Sequence, residues 1–539
     1  MNQRIKLTGK QYSFFKFIEE FCYQGKNQLS VNVAVHRLCS LMRKMRTEAV
    51  VIEDLPITSN VIEHECLAIK KFYNTDIEIK AFKFTFITEK IIQMSDIETL
   101  KDENFLSSVI LINYRADGGW NSYLYSAIVA KPKIRFKEYD LNLLNNYLHI
   151  YRKFQCEVSL SADSVHHYNI IGSYFCQQNT VTSVCAHAAL CMAINNMESG
   201  RAITPEEINN IIGVDHQAKK CGGSNANTFF TKAEVAKVLS HYELSMVESD
   251  FFEEPNRDYT EFVYRYVESK CPVLLVFTTT NSVSHIVPIL GHTVNSDMWK
   301  PEAAPLYSHQ MGRLNYNSSV AWVDHFIMHD DNFGMYLNLP LDSLKKITLP
   351  KHDPTFRAAF ATAIVPKDVT TPSREAEWAS VIVVKTVLQE LIDRSIILDD
   401  WLYRIYVSDK ITPYRPLVVR TFLTTVKDYA KSLDGEDFQG YKFSETEKKE
   451  LTNDLPELFW LSEITLPDLY TANRTKIVDF FYDASCPRLE NQDQIFTRWI
   501  QIRFPYALYK KKPPSPQPLS VKSHYPLMML ESQKDAFQW

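Results

Sequence analysis

The chain has 539 residues, past the size at which one hydrophobic core stops growing, so roughly two to four domains are expected. Its 45% apolar and 23% charged content excludes disorder as the main theme, and a net charge of −5 from 59 basic and 64 acidic residues leaves no electrostatic footprint for nucleic acid or an anionic membrane. The ten cysteines are too scattered for a disulfide framework, which points to a reducing compartment.

The start, MNQRIKLTGKQYSFF, lacks the sustained apolar core of a secretory signal. The longest apolar runs, such as Pro272 to Phe277, are far too short to span a bilayer. The expectation is a soluble cytoplasmic protein with no membrane span and no nucleic-acid partner.

Residues 1–150 read as an α/β domain. Helical spacing marks Gln11 to Tyr23 and Val31 to Met45, the second with Val35, Leu38 and Met42 on one face. Ile77 to Ile87 alternates as a strand, with a phase slip at 81/82 that a β-bulge would produce. Val109 to Tyr114 and Tyr123 to Val129 flank Asp117-Gly118-Gly119 and form a hairpin. Nothing in this part carries a catalytic signature.

Residues 155–368 hold the chemistry. In Gln177 to Asn196 (QQNTVTSVCAHAALCMAINN), Thr182 and Ser183 are candidate N-caps and Ala188 to Ile194 can be buried nearly all round. Cys185 then sits in the first turn, where unpaired N–H groups and the helix dipole favour an anion. A helix capped by Thr204 with Pro205 at its first position should end near Gly213. After a flexible Cys221-Gly222-Gly223-Ser224, helices are expected over Lys232 to Tyr242 and Tyr259 to Ser269. Strands follow at Pro272 to Thr278, Ser284 to His292 and Ala321 to Met328. The last runs into His329-Asp330-Asp331-Asn332-Phe333-Gly334, a polar loop at a sheet edge. The insert Asn295 to Ser319 is long enough to be a lid.

Residues 371–539 read as an α+β, mainly helical domain. Helices are expected at Ala376 to Arg394, Leu417 to Leu433 and Ser444 to Leu451, with strands at Lys476 to Tyr482 and Ile495 to Phe504. Pro513 to Pro518 reads as an extended arm. There is no internal repeat.

A cysteine at a helix start, a histidine opening a strand about a hundred residues later and an acid after the next strand stand in Cys-His-Asp order. A thiol nucleophile needs an imidazole to take its proton, a carboxylate to hold the imidazole, and fixed donors for the oxyanion. Cys185, His285 and Asp330 fill the first three roles. Gln178 with the Cys185 N–H can fill the fourth, with Gln177 and Asn179 as alternatives. His325 and His329 are rivals for the base, and Asp324 and Asp331 for the acid. Cys185, His187 and Cys191 lie at helix offsets of two and six that do not bring three ligands together, so neither a metal nor a cofactor is expected. Cys191 reads as core.

This order resembles the papain-fold cysteine peptidases, more narrowly the C39-like (bacteriocin-processing peptidase-like) branch. The residues that carry the resemblance are Gln178, Cys185-Ala186-His187-Ala188-Ala189-Leu190, Ile203 to Gly213, Ser284-His285-Ile286-Val287, Gly291, and Asp330 four before Gly334. It covers only the middle of the chain. Ala186 stands in place of the usual glycine, Gln178 is seven rather than six residues before the cysteine, and Asp331 replaces a proline. The resemblance implies an α+β papain-like core in which a helix bearing Cys185 packs on an antiparallel sheet, with Cys185 as nucleophile, His285 as base and Asp330 as its orienter. The expected activity is hydrolysis of a peptide or isopeptide bond in a protein or peptide substrate that the flanking domains select. The alternatives are an acyltransferase or transglutaminase-like enzyme, or an inactive interaction scaffold.

Overall fold

The structure is a computed structural model that describes residues 3–8, 14–22, 32–74, 76–116, 118–132, 145–161, 163–179, 181–197, 203–213, 230–251, 259–278, 284–294, 304–311, 314–341, 357–395, 417–434, 442–472, 475–487, 491, 494–504, 507–511, 515–518 and 529. The Cys221-Gly222-Gly223-Ser224 stretch, the loop 279–283 and the insert's first part, 295–303, lie outside the described residues.

Among the described residues the architecture is α+β, with three largely antiparallel sheets. In chain order the first part supplies β1 (Gln3–Leu7), α1 (Phe14–Phe21), α2 (Val33–Lys44), β2 (Ala49–Leu55), α3 (Glu63–Tyr73), β3 (Ile79–Ile87), β4 (Phe105–Ala116), β5 (Gly119–Ala130), β6 (Asn145–Leu148), β7 (Arg152–Ser159) and β8 (Val165–Phe175). The first sheet runs β1-β2-β3-β4-β5-β8-β7. The β4–β5 hairpin turns at Gly118, whose positive φ of 78° suits glycine.

The expected bulge at 81/82 is absent, because β3 keeps register with β2 and β4 through that point. The phase slip has another cause: both faces of β3 are covered. Phe82, Phe84 and Phe86 pack against α1 and α2, while Ala81 joins Ile62, Cys66 and Ile69 of the α3 side. A strand buried on both faces does not alternate.

The middle of the chain gives α4 (Cys185–Asn195), α5 (Pro205–Ile212), α6 (Lys232–His241), β9 (Leu244–Asp250), α7 (Tyr259–Glu268), β10 (Val273–Thr278), β11 (Ser284–Val294), β12 (Ser308–Met311), β13 (Leu314–Ser318), β14 (His325–Asp330), β15 (Gly334–Pro340) and β16 (Arg357–Pro366). The second sheet runs β15-β14-β11-β10-β16-β9, with β6 also on β11. Every α4 residue after Cys185 is buried, against β8, β10 and β11, so this short helix is stabilised by packing rather than by its own propensity. The strand expected from Ala321 begins only at His325, because Ser319–Trp322 forms a 3₁₀ turn.

The last part supplies α8 (Ser373–Asp393), β17 (Leu417–Thr425), α9 (Val426–Ser432), α10 (Glu445–Thr452), β18 (Leu458–Thr465), α11 (Pro467–Ala472), β19 (Val478–Asp483), α12 (Ile495–Arg498), β20 (Trp499–Arg503), β21 (Ala507–Lys510) and β22 (Ser515–Pro518). The expected α+β C-terminal domain carries both element types, and its helices surround a sheet. An eight-stranded sheet, β12-β13-β17-β18-β19-β20-β21-β22, is its centre. Leu417 to Leu433, expected as one helix, is β17 followed by a short helix, since the run LVVRTFLTT is rich in β-branched residues and buried up to Thr425.

Sheet membership also crosses the expected boundaries. β7 and β8, beyond residue 150, belong to the first sheet, and β12 and β13, from the expected lid, extend the third. The described part of that insert is a 3₁₀ turn, Ala304–Tyr307, followed by these two strands, β12 and β13. One buried cluster runs from Phe17 through the α4 core to Tyr509, joining all three sheets. Among the described residues, no helix is long and apolar enough to cross a membrane.

Candidate active site

Cys185 is the first residue of α4, at its junction with the loop from Gln177. The N-cap position is Val184, not Thr182 or Ser183. His187 replaces the missing cap: its Nδ1 accepts the Val184 N–H at 3.3 Å, and its Nε2 meets Asn209 of α5 at 3.0 Å. Thr182 instead donates to Glu65 at 2.8 Å, and Ser183 accepts the Asn179 N–H at 3.3 Å.

The loop before Cys185 is tied down from the first sheet. Buried Glu65 on α3 accepts at one oxygen from Tyr123 (2.8 Å), Asn179 (2.7 Å) and Thr182 (2.8 Å). Burial pushes its carboxyl pKa up, only partly offset by the hydrogen bonds from Tyr123 and Thr182. Asn179 is fully used, since its Oδ1 also takes the N–H groups of Val181, Thr182 and Ser183. Gln177 accepts from Leu124 N–H (3.0 Å) and Asn32 (3.1 Å) and donates to the Asp331 carbonyl at 2.9 Å. Gln178 is half-buried, and its amide makes no hydrogen bond among the described residues. Of the three amides considered for the oxyanion, it is the one not committed elsewhere.

β11 begins at Ser284, which sets His285 beside the helix start. His285 and Cys185 line the same cavity. His285 Nε2 lies 3.2 Å from Asp330 Oδ2 and 3.6 Å from Asp331 Oδ1. Asn332 Nδ2 is 3.5 Å away, and Phe277 packs edge-on against the ring. Burial pulls the imidazole pKa down, but the neighbouring Asp330 and Cys185 side chains and the two carboxylate charges outweigh it, raising the pKa to about 10.

The two acids differ. Asp330 Oδ1 accepts the N–H groups of Asn332 (2.8 Å) and Phe333 (3.2 Å), so its other oxygen is aimed at His285 by its own turn. Neither Asp331 oxygen has a hydrogen-bond partner among the described residues. Burial, with the Asp330 charge and against the pull of His285, raises Asp331 to about 6. His285, Asp330 and Asp331 are also close enough to share a metal ion.

The turn closes at Gly334, whose φ of 113° belongs to glycine and where a Cβ would meet the Arg37 side chain at 2.8 Å. Tyr336 follows with a φ of 52°, a strained value for a non-glycine residue. Arg37 of α2 spans this bend, donating to the carbonyls of Met335 (3.1 Å) and Tyr336 (2.6 Å). Both sides of the site are therefore anchored on the first part of the chain. No family model, curated protein or solved structure matches this sequence.

The rival bases are placed elsewhere. His329 is buried with Nε2 3.2 Å from Ser173 Oγ, and burial pulls its pKa down to about 3. His325 stands at the opposite end of β14 from Asp330, and Asp324 just precedes that strand. Cys191 is buried, as expected for core. Sequence reasoning missed Glu65, Asn32, Arg37 and the capping role of His187. Only His187, three residues beyond Val184, had a local signal, because the others act from distant segments.

A cavity of about 390 Å³ opens at Cys185 and His285 and runs between α4, α6 and the second sheet. Its walls are mainly apolar, with Leu190, Phe230, Val235, Val276 and Ile286 among them.

Proposed function

We propose that the chain is a papain-like cysteine hydrolase that cleaves a peptide or isopeptide bond through a Cys185 thioester. The observation that carries this reading is that Cys185, at the start of α4, and His285, on β11, line one cavity, with Asp330 Oδ2 3.2 Å from His285 Nε2. With Nε2 turned to the carboxylate, Nδ1 is the nitrogen left to exchange a proton with sulfur.

Sγ of Cys185 attacks the carbonyl carbon, and the oxyanion meets the Cys185 N–H and the Gln178 amide. His285 then protonates the departing amine, and the C–N bond breaks. Water, deprotonated by His285, releases the acid and restores the thiol. The helix packed on an antiparallel sheet, with base and acid on the neighbouring strands β11 and β14, is the framework that the papain-like reading requires.

Iodoacetamide labelling tests the nucleophile. Burial raises the thiols of Cys22, Cys156 and Cys271 to about 12 and Cys66 to about 11, so they should react slowly at neutral pH. Cys185 should label first. Equal labelling of all cysteines would sink the reading. Incorporation of a labelled amine without net hydrolysis would make the enzyme an acyltransferase.

The bare Asp331 carboxylate favours a second reading, in which a cation is held by His285, Asp330 and Asp331. Activity lost to EDTA and restored by zinc would select it.

A further inference from the structure

The turn that aims Asp330 at His285 depends on an irregularity in the hairpin that carries it. Met328 of β14 pairs with Leu337 of β15, but Asp330 pairs with Gly334, so between these pairs the single residue His329 faces both Met335 and Tyr336. That is a β-bulge on β15. In unbroken register Asp330 would pair with Met335, and the turn would be longer by one residue. The bulge therefore sets the short turn in which Asp330 Oδ1 takes the N–H groups of Asn332 and Phe333 while Oδ2 faces His285.

The groups that hold the bulge meet at one hydroxyl. Tyr336, buried and at its positive φ of 52°, donates its phenol proton to the Val129 carbonyl of β5 at 2.8 Å. The same oxygen accepts from Ser173 of β8 twice, from its N–H at 3.2 Å and from its Oγ at 2.7 Å. Having given its one proton to Tyr336, Ser173 Oγ meets His329 Nε2 at 3.2 Å as an acceptor, which places the His329 proton on Nε2. Burial holds that ring neutral. The bulged residue and the residue opposite it are thus tied to the first sheet through Ser173, and Arg37 of α2 holds the Met335 and Tyr336 carbonyls. A bulky residue in left-handed backbone persists where its surroundings over-determine it, and such positions cluster at functional sites.

Resting on Cys185, His285 and Asp330 as the catalytic group, we propose that Tyr336 and Ser173 are positioning residues, whose hydroxyls lock the bulge opposite His329 and so keep the Asp330 carboxylate against the His285 ring. Both act through Asp330.

The test reads the charge on His285 at Cys185 itself. Iodoacetate is an anion and iodoacetamide is neutral, so the ratio of their alkylation rates on the Cys185 peptide, followed by mass spectrometry, cancels the thiolate fraction and reports positive charge beside the sulfur. With the full chain at about pH 8, Asp330→Asn should lower this ratio about fivefold, the weight of one unit charge some 4 Å away in water. Tyr336→Phe, which removes only the oxygen, and Ser173→Ala should each lower it about two- to fivefold. In the Asp330→Asn background the same two substitutions should change nothing further, because a residue that acts through Asp330 has nothing left to act on. Rates are read on the folded fraction, and the two variants remove opposite ends of one hydrogen bond, so either alone decides. A lowered thermal midpoint with an unchanged ratio is the mark of a merely structural role and overturns the proposal, as does a ratio that falls again in the Asp330→Asn background. If Asp330→Asn lowers the ratio while Tyr336→Phe and Ser173→Ala do not, the Cys185-His285-Asp330 reading stands without the positioning role. An unchanged ratio in Asp330→Asn overturns both.

Discussion

β11 carries two histidines that both face carboxylates, and they have opposite fates. His285, at its start, is matched with Asp330 and Asp331, and among the described residues no arginine or lysine is paired with either acid. His292, near its end, has Nε2 2.5 Å from Glu268, whose other oxygen is held by Arg420 at 2.5 Å. Arg420 also reaches Glu463 at 2.6 Å, and Lys476 reaches Glu463 at 2.6 Å. Burial opposes the charge on Glu268, but Arg420, His292 and His149 outweigh it and hold its carboxyl well below the usual range. His149, stacked 4.5 Å from His292, is pulled down to about 3, first by burial and then by the His292 charge. Similar side chains therefore make a sealed, balanced network at one end of the strand and, at the other, an open group with a surplus of negative charge. Chemistry needs the surplus and the opening, while joining the second and third sheets needs the balance.

The largest expected effect is at the open end. Cys185→Ala should abolish turnover, and His285→Ala should lower kcat about 10²–10⁴-fold in protein that is still folded. If Arg420→Ala lowered kcat as much in folded protein, the division of labour between the two clusters would be wrong. Gln178→Ala should cost about 10²–10³-fold in kcat, the range for one oxyanion donor. An effect of that size from Asn179→Ala accompanied by loss of stability would mark loop collapse instead.

At the sealed end, Arg420→Ala should destabilise by about 3–5 kcal/mol in denaturant titration, because Glu268 and Glu463 are left buried with fewer cations. The Cys185 labelling rate of the folded fraction should not change.

The smallest effects are in pH dependence. His285 is raised from 6.5 to about 10 on folding, so its contribution to stability is complete below pH 6.5 and is lost as pH rises through about 10. Asp330→Asn removes the main partner and should narrow that window from above. Asp331 is raised from 3.8 to about 6, so its contribution favours the fold below pH 3.8 and is lost as pH rises through about 6. Asp331→Asn should therefore gain stability relative to the parent above pH 6, measured by unfolding at paired pH values. A loss there would mean that the carboxylate has a cation partner.

The contrast also separates what was legible in the sequence. α5 shows its Thr204 cap, Pro205 and left-handed Gly213 where the spacing put them, because capping is local chemistry. The β4–β5 hairpin was equally local. β17 was misread because a run buried on both faces carries no period, and β7, β8, β12 and β13 joined sheets that no local signal names. In the site, the order of Cys185, His285 and Asp330 could be read in the chain, but which acid and which amide were available could not. Asp330 and Asp331 are adjacent, and they differ only in which one the turn supplies with N–H donors.

The sequence by itself determined the helix start that exposes Cys185, the strand that begins at His285, and the turn at Gly334, since each follows from residue types within a few positions. Tertiary structure alone decided that Glu65 and Arg37, from helices far earlier in the chain, brace the two loops, that Gln177 and Asn179 are consumed as struts, and that a mainly apolar cavity opens beside Cys185. Hydrogen bonds and packing between segments a hundred residues apart depend on which elements the core brings together, and that is a property of the whole chain.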